Sequence, residues 1–112
     1  MIPLVLAAAL STLTGNWTVD LRPTPAAPAY TQPMELKIAE DGAVSGSFYG
    51  APIQAGRATE SNGRTCFAFN TFDQSGPYHH AGCLREAAIE GQSWSTGRNF
   101  LMNLRAERTP AR

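Results

Sequence analysis

The chain has 112 residues, with nine basic and nine acidic side chains and a formal net charge of zero. A length of this order suits one small domain with a marginal core, which a covalent staple would support. With no basic stripe to meet phosphates, nucleic-acid binding is set aside.

The first ten residues, Met-Ile-Pro-Leu-Val-Leu-Ala-Ala-Ala-Leu, form an apolar run. It is too short to cross a bilayer and fits the core of a secretory signal, with Ala7-Ala8-Ala9 as a small-x-small cleavage site. Residues 1–12 are therefore expected to be removed on export. Residues 13–112 would then form one domain in the periplasm or outside the cell, and not an integral membrane protein. The competing reading makes the run an apolar first strand or helix of the mature fold.

Beyond it, no stretch keeps a helical period with caps. Short alternating runs are broken by Gly, Asn, Asp and Pro turns roughly every eight to twelve residues, which predicts an all-β sandwich or barrel. About eight strands are expected, near 16–22, 33–39, 43–49, 52–59, 64–72, 78–85, 87–95 and 99–107. Between the first two lies Arg22-Pro23-Thr24-Pro25-Ala26-Ala27-Pro28-Ala29-Tyr30-Thr31-Gln32-Pro33, a proline-rich segment that cannot donate a full hydrogen-bond ladder. It is read either as a binding loop over the barrel mouth or as a stiff crossover.

Glu40-Asp41-Gly42 reads as a three-residue hairpin loop with Gly in the left-handed position. Pairing outward from it sets Ile38 opposite Val44, Leu36 opposite Gly46 and Met34 opposite Phe48, with every large apolar residue on one face. Asn62-Gly63 marks a further turn. A hairpin centred on Gln74-Ser75 then places Cys66 opposite Cys83, Ala68 opposite Ala81 and Phe69 opposite His80. A cross-strand Cys66–Cys83 disulfide is possible where the pair is the close, non-hydrogen-bonded kind, and two cysteines suit an oxidising compartment. For the last hairpin two registers stay open. One sets Ile89, Gly91 and Ser93 against Leu104, Met102 and Phe100; the other sets Trp94 against Phe100 and turns its ring to the opposite face.

Consecutive hairpins of this kind make an antiparallel up-and-down meander barrel. Within that frame Leu13-Thr14-Gly15-Asn16-Trp17-Thr18, running on to Asp20-Leu21, resembles the Gly-x-Trp first strand of calycins, the lipocalin and avidin grouping. Ala43-Val44-Ser45-Gly46-Ser47-Phe48 resembles the third strand of avidins. The resemblance implies that Trp17 plugs one end of the barrel and that Arg105, on the final strand, stacks across it. Biotin binding is not carried over. Val19, Pro23 and Phe48 stand where avidins place Asn, Ser and Tyr contacts, and three missing polar groups weigh against that ligand.

No cofactor, metal or catalysis is expected. His79 and His80 are neighbours on a strand and point to opposite faces, so they cannot share one metal ion. No Gly-x-Ser-x-Gly elbow occurs, and bonded cysteines offer no thiolate. The expected function is binding of a small apolar or amphipathic ligand by an exported barrel, with Tyr30, Phe48, Phe69 and Trp94 as contacts. The alternative is a protein-interaction or inhibitor module in the same compartment, with a packed lumen and the proline-rich loop as its docking segment.

Overall fold

Buried and exposed side chains alternate along most strands of the computed structural model, which describes residues 9–110. The strands are β1 (Gly15–Asp20), β2 (Thr31–Ile38), β3 (Ala43–Phe48), β4 (Ala51–Pro52), β5 (Gln54–Ser61), β6 (Arg64–Asp73), β7 (Gly76–Arg85), β8 (Ala88–Ser95) and β9 (Phe100–Arg108). The pairing order is β2-β1-β9-β8-β7-β6-β5-β3-β4, and a further β2–β3 pairing closes the ring. The two-residue β4 and the longer β5 both pair with β3, so together they make one broken stave. The result is the expected all-β meander, a closed antiparallel barrel with eight positions around its wall.

That broken stave is the one strand whose expected form needs revision. Ala55 adopts φ of 53° and the β5–β6 register shifts between Gln54 and Arg57, the mark of a bulge. Gly56 explains why the wall bends here. A Cβ on it would lie 2.6 Å from the Val44 carbonyl oxygen, so only glycine lets β5 come this close to β3.

The hairpin registers follow the turn chemistry. Ala39 N donates to Ala43 O at 2.8 Å around Gly42, whose φ is 94°, and Ile38, Leu36 and Met34 face Val44, Gly46 and Phe48. Cys66 faces Cys83 and the two are joined, with Cα atoms 4.0 Å apart on the outer wall. A bond of this kind fits an oxidising compartment.

At one end of the barrel Trp17 is buried and its indole Nε1 donates to Leu13 O at 2.9 Å. Leu10 and Leu13, on a helical turn that precedes β1, pack into the same core. Leu10, within the segment expected to be removed, thus packs in the core, while residues 1–8 of that segment lie outside the described residues. The cation over the indole is Arg108, 4.3 Å from the ring centroid, and not Arg105. Arg108 also donates to Thr14 O at 2.9 Å and to Thr12 O at 2.5 Å, tying the helical turn to the last strand.

The cation's place follows from the β1–β9 pairing, which sets Arg108 opposite the inward Trp17 and Arg105 opposite Asp20. The β8–β9 connection spans residues 96–99, so Ile89 pairs with Ala106, Gly91 with Leu104 and Ser93 with Met102. Both expected registers are replaced by one shifted two residues beyond the first. A shift of two keeps the faces of the first register, so even-numbered residues of β9 point inward and Arg105 lies outside, where it meets Glu90 and Glu107 at 3.4 Å each.

The lumen is filled. Trp17, Phe48, Phe67 and Phe69 are nearly fully buried, and a Cβ on Gly82 would meet Ile89 Cγ2 at 2.9 Å and Phe67 Cζ at 3.1 Å. The space opened by that glycine is occupied by its neighbours.

Two measurements check this frame. Reducing the Cys66–Cys83 bond, which spans 17 residues, should lower the unfolding free energy by about 3 kcal/mol, read from urea midpoints with and without reductant. Arg108→Ala should lose about 1–3 kcal/mol, whereas Arg105→Ala should change stability by about 0.5 kcal/mol or less. Equal effects would contradict the assigned roles.

Candidate functional site

The end of the barrel opposite Trp17 is built from the C-terminal ends of β1, β3, β6 and β8 and the N-terminal ends of β7 and β9. Inward positions here are polar as well as aromatic: Thr71 on β6, Tyr78 and His80 on β7, and Ser93 on β8. Together with Phe48, Tyr49, Phe72, Arg98 and Met102 they line a recess of about 170 Å³. Ligand pockets usually measure roughly 300–1,000 Å³. This one is a shallow cup above a packed core.

The floor of the cup is a hydrogen-bonded row. His80 is 6% exposed, its Nδ1 lies 2.7 Å from Ser93 Oγ and its Nε2 lies 2.8 Å from Thr71 Oγ1. Burial, and secondarily the neighbouring His79, push its pKa down to about 4. The ring is therefore neutral near pH 7, with one nitrogen donating and the other accepting. One hydroxyl then accepts from the ring and keeps its own proton, while the other donates to the ring and keeps free lone pairs. The row can thus offer the cup both a donor and an acceptor. The imidazole also packs edge-on to Phe48, with centroids 4.8 Å apart.

The rim is held by contact between two turns. A Cβ on Gly97 would collide with the Ser75 carbonyl oxygen, so the β8–β9 turn lies directly on the β6–β7 turn. Arg98 N donates to Ser95 Oγ at 3.1 Å, and Ser75 N donates to Asp73 Oδ1 at 2.7 Å. Above them the Arg98 guanidinium lies 5.6 Å from the Phe100 ring centroid and 3.5 Å from Tyr78 Oη.

Of the four residues expected to touch a ligand, Phe48 lines the cup. Phe69 is buried beneath it, with its centroid 5.6 Å from Phe67 and 5.0 Å from His80. Tyr30 stands exposed at the rim, 6.2 Å from Tyr49. Trp94 is 36% exposed on the outer wall, in a row with His79 and Leu101, because it alternates along β8 with the buried Ser93 and Ser95. It cannot reach anything in the cup.

The proline-rich segment does not roof the mouth. Pro23, Thr24, Pro25 and Ala29 instead border an open groove of about 700 Å³ against the outer faces of β1 and β9. Asp20 anchors its start. Its carboxylate accepts from Arg22 Nε at 2.7 Å and from Arg22 N at 3.0 Å, bonds that bring its pKa down to about 2.

Tyr49, Phe72, Tyr78, Arg98 and the Thr71–His80–Ser93 row were not expected to form a site. The row was within reach, since pairing Phe69 with His80 already puts that imidazole indoors. Tyr49 and Phe72 lie at strand ends, where the alternation that identifies inward residues stops applying.

Comparison with known proteins finds no matching family, curated protein or solved structure. The class the fold defines is a small closed antiparallel barrel with one plugged end and one cupped end.

The His80 environment carries a pH signature. The unfolded chain takes up a proton near pH 6.5 and the folded chain only near 4. Stability from this group is complete above pH 6.5 and is lost as pH falls toward 4, by about 3 kcal/mol at most. Subtracting the stability of His80→Gln from that of the native chain at pH 7.5, 5.5 and 4 should isolate this slope. A flat difference would mean that the imidazole titrates normally.

Proposed function

We propose that this chain is an exported, calycin-type binding barrel that receives one small amphipathic ligand at its mouth, without chemical turnover. The observation that carries the reading is the cup itself: aromatic walls above a hydrogen-bonding floor, on a rim braced by two turns. Apolar walls with a few convergent polar groups are what small-molecule sites are made of. Strand-borne groups hold such a geometry better than loops do.

Two further features support parts of this reading. Gly15-x-Trp17 with a final-strand cation over the indole is the arrangement the calycin resemblance implies, supplied here by Arg108. The Cys66–Cys83 bond and the apolar N-terminal run both suit export.

A filled lumen limits the occupant to something that fits the cup, so a long-chain lipid is a poor candidate. The same fact, with Tyr30, Tyr49, Phe72 and Phe100 exposed, favours a second reading in which the rim docks on a protein. Exposed aromatics beside an arginine are the composition of interface hot spots.

Titrating phenol or benzyl alcohol into isotope-labelled, oxidised protein tests the first reading. Backbone amides of Tyr49, Phe72, Tyr78 and Arg98 should shift together, with a dissociation constant on the order of millimolar for so few atoms. Trp94 and Leu101 should stay still. Shifts confined to the outer wall, or none at all, would remove the small-ligand reading and leave the protein-docking one.

A further inference from the structure

The cup carries more information than its size. About 170 Å³ is the volume of roughly six water molecules at about 30 Å³ each, which a single six-membered ring on a short arm would displace. Phe48, Tyr49, Phe72 and Tyr78 supply flat walls for such a ring, and aromatic pairs favour edge-on or offset contacts.

The charged groups of the lining are Arg98 and Asp73. Their states differ. Asp73 turns Oδ1 onto the Ser75 backbone N–H, and its charge is still felt by Arg98 across the cup. Arg98 takes part in none of the ion pairs among the described residues, which join Arg22 to Asp20, Arg85 to Glu90, and Arg105 to Glu90 and Glu107. Its side-chain N–H groups make one hydrogen bond among those described, to Tyr78 Oη at a long 3.5 Å, and the Asp73 carboxylate attracts it more weakly across the cup without an ion-pair contact. A guanidinium has five donors in a planar fork that matches a carboxylate. Stacking on Phe100 and the Ser95 contact at its backbone hold this fork at the edge of the cup, so little order has to be gained on binding.

We propose that the cup selects a monocyclic aromatic carboxylate, its ring among Phe48, Tyr49, Phe72 and Tyr78 and its carboxylate on the Arg98 guanidinium. This inference rests on the small-ligand reading above and adds charge selection to it. The ring displaces water from the aromatic walls, and a short arm spans from the cup to the rim. A second negative charge on the ligand would face Asp73 and be disfavoured, so the preferred class is monoanionic.

The test compares 3-phenylpropanoate, its neutral amide 3-phenylpropanamide, the cation 2-phenylethylamine and acetate. Each is titrated into the oxidised full chain and into Arg98→Gln, and binding is followed by the amide shifts of the cup. The acid should bind about tenfold more tightly than the amide, with a preference that weakens as salt rises. Acetate should leave the cup unmoved. Arg98→Gln keeps the backbone bond to Ser95 and should bind acid and amide alike, with its fold checked by an unchanged spectrum away from the rim.

Equal binding of acid and amide to the native chain, or tighter binding of the amine, would overturn charge selection by Arg98 while leaving a ring-binding cup. Retention of the preference in Arg98→Gln would overturn the assignment to that residue. Failure of every ring probe to move the cup amides would overturn this inference and the small-ligand reading together.

Discussion

Trp17 and Arg108 are paired residues on the first and last strands, and their stack lies where the sheet becomes a ring. Much of the structure depends on that junction. Once β1 is bonded to both β2 and β9, every strand's inward set is fixed by its neighbours, because a slip of one residue anywhere would turn a whole stripe of apolar side chains to water. The stack also holds the helical turn ahead of β1, through the Arg108 bonds to Thr12 and Thr14. One cation thus serves as lid, splice and anchor at the plugged end.

With that end sealed by Trp17, Leu10 and Leu13 and the middle filled by Phe67 and Phe69, polar inward residues collect at the other end. A buried hydroxyl or imidazole is tolerated only where it finds partners. Thr71, His80 and Ser93 meet this need with one another on three adjacent strands, Ser93 directly opposite His80 and Thr71 on the diagonal. Polar satisfaction and site construction are here one event: the residues that could not be left alone in the barrel are those that give the cup its floor.

The meander, the β2–β3 hairpin and the Cys66–Cys83 pairing were legible in the sequence because each rests on a local signal. Gly42 fixes one loop length, and Gln74-Ser75 sets the pairing that brings the sulfurs together. The β8–β9 connection lacked such a signal. Ser95-Thr96-Gly97-Arg98-Asn99 admits several loop lengths, and the one adopted depends on Gly97 lying against Ser75, a contact between turns remote in sequence. Arg105 was placed by the calycin resemblance, whereas the β1–β9 pairing sets Arg108 opposite Trp17, and Trp94 lies outside because it alternates with the buried Ser93 and Ser95. The break between β4 and β5 was hidden for a similar reason, since Gly56 reads as an ordinary strand glycine until its approach to Val44 is seen.

The cup opens to solvent above a core with no room left in it. A molecule that docks there has no interior to travel through, and the wall need not part for it to arrive or depart. Residence would be governed by rotations of a few rim side chains, motions of picoseconds to nanoseconds in exposed groups, and not by breathing of the strands. Such a barrel samples its surroundings and re-equilibrates quickly. It is poorly suited to sequestering a cargo, and any role built on it would have to read the concentration of its partner as it changes.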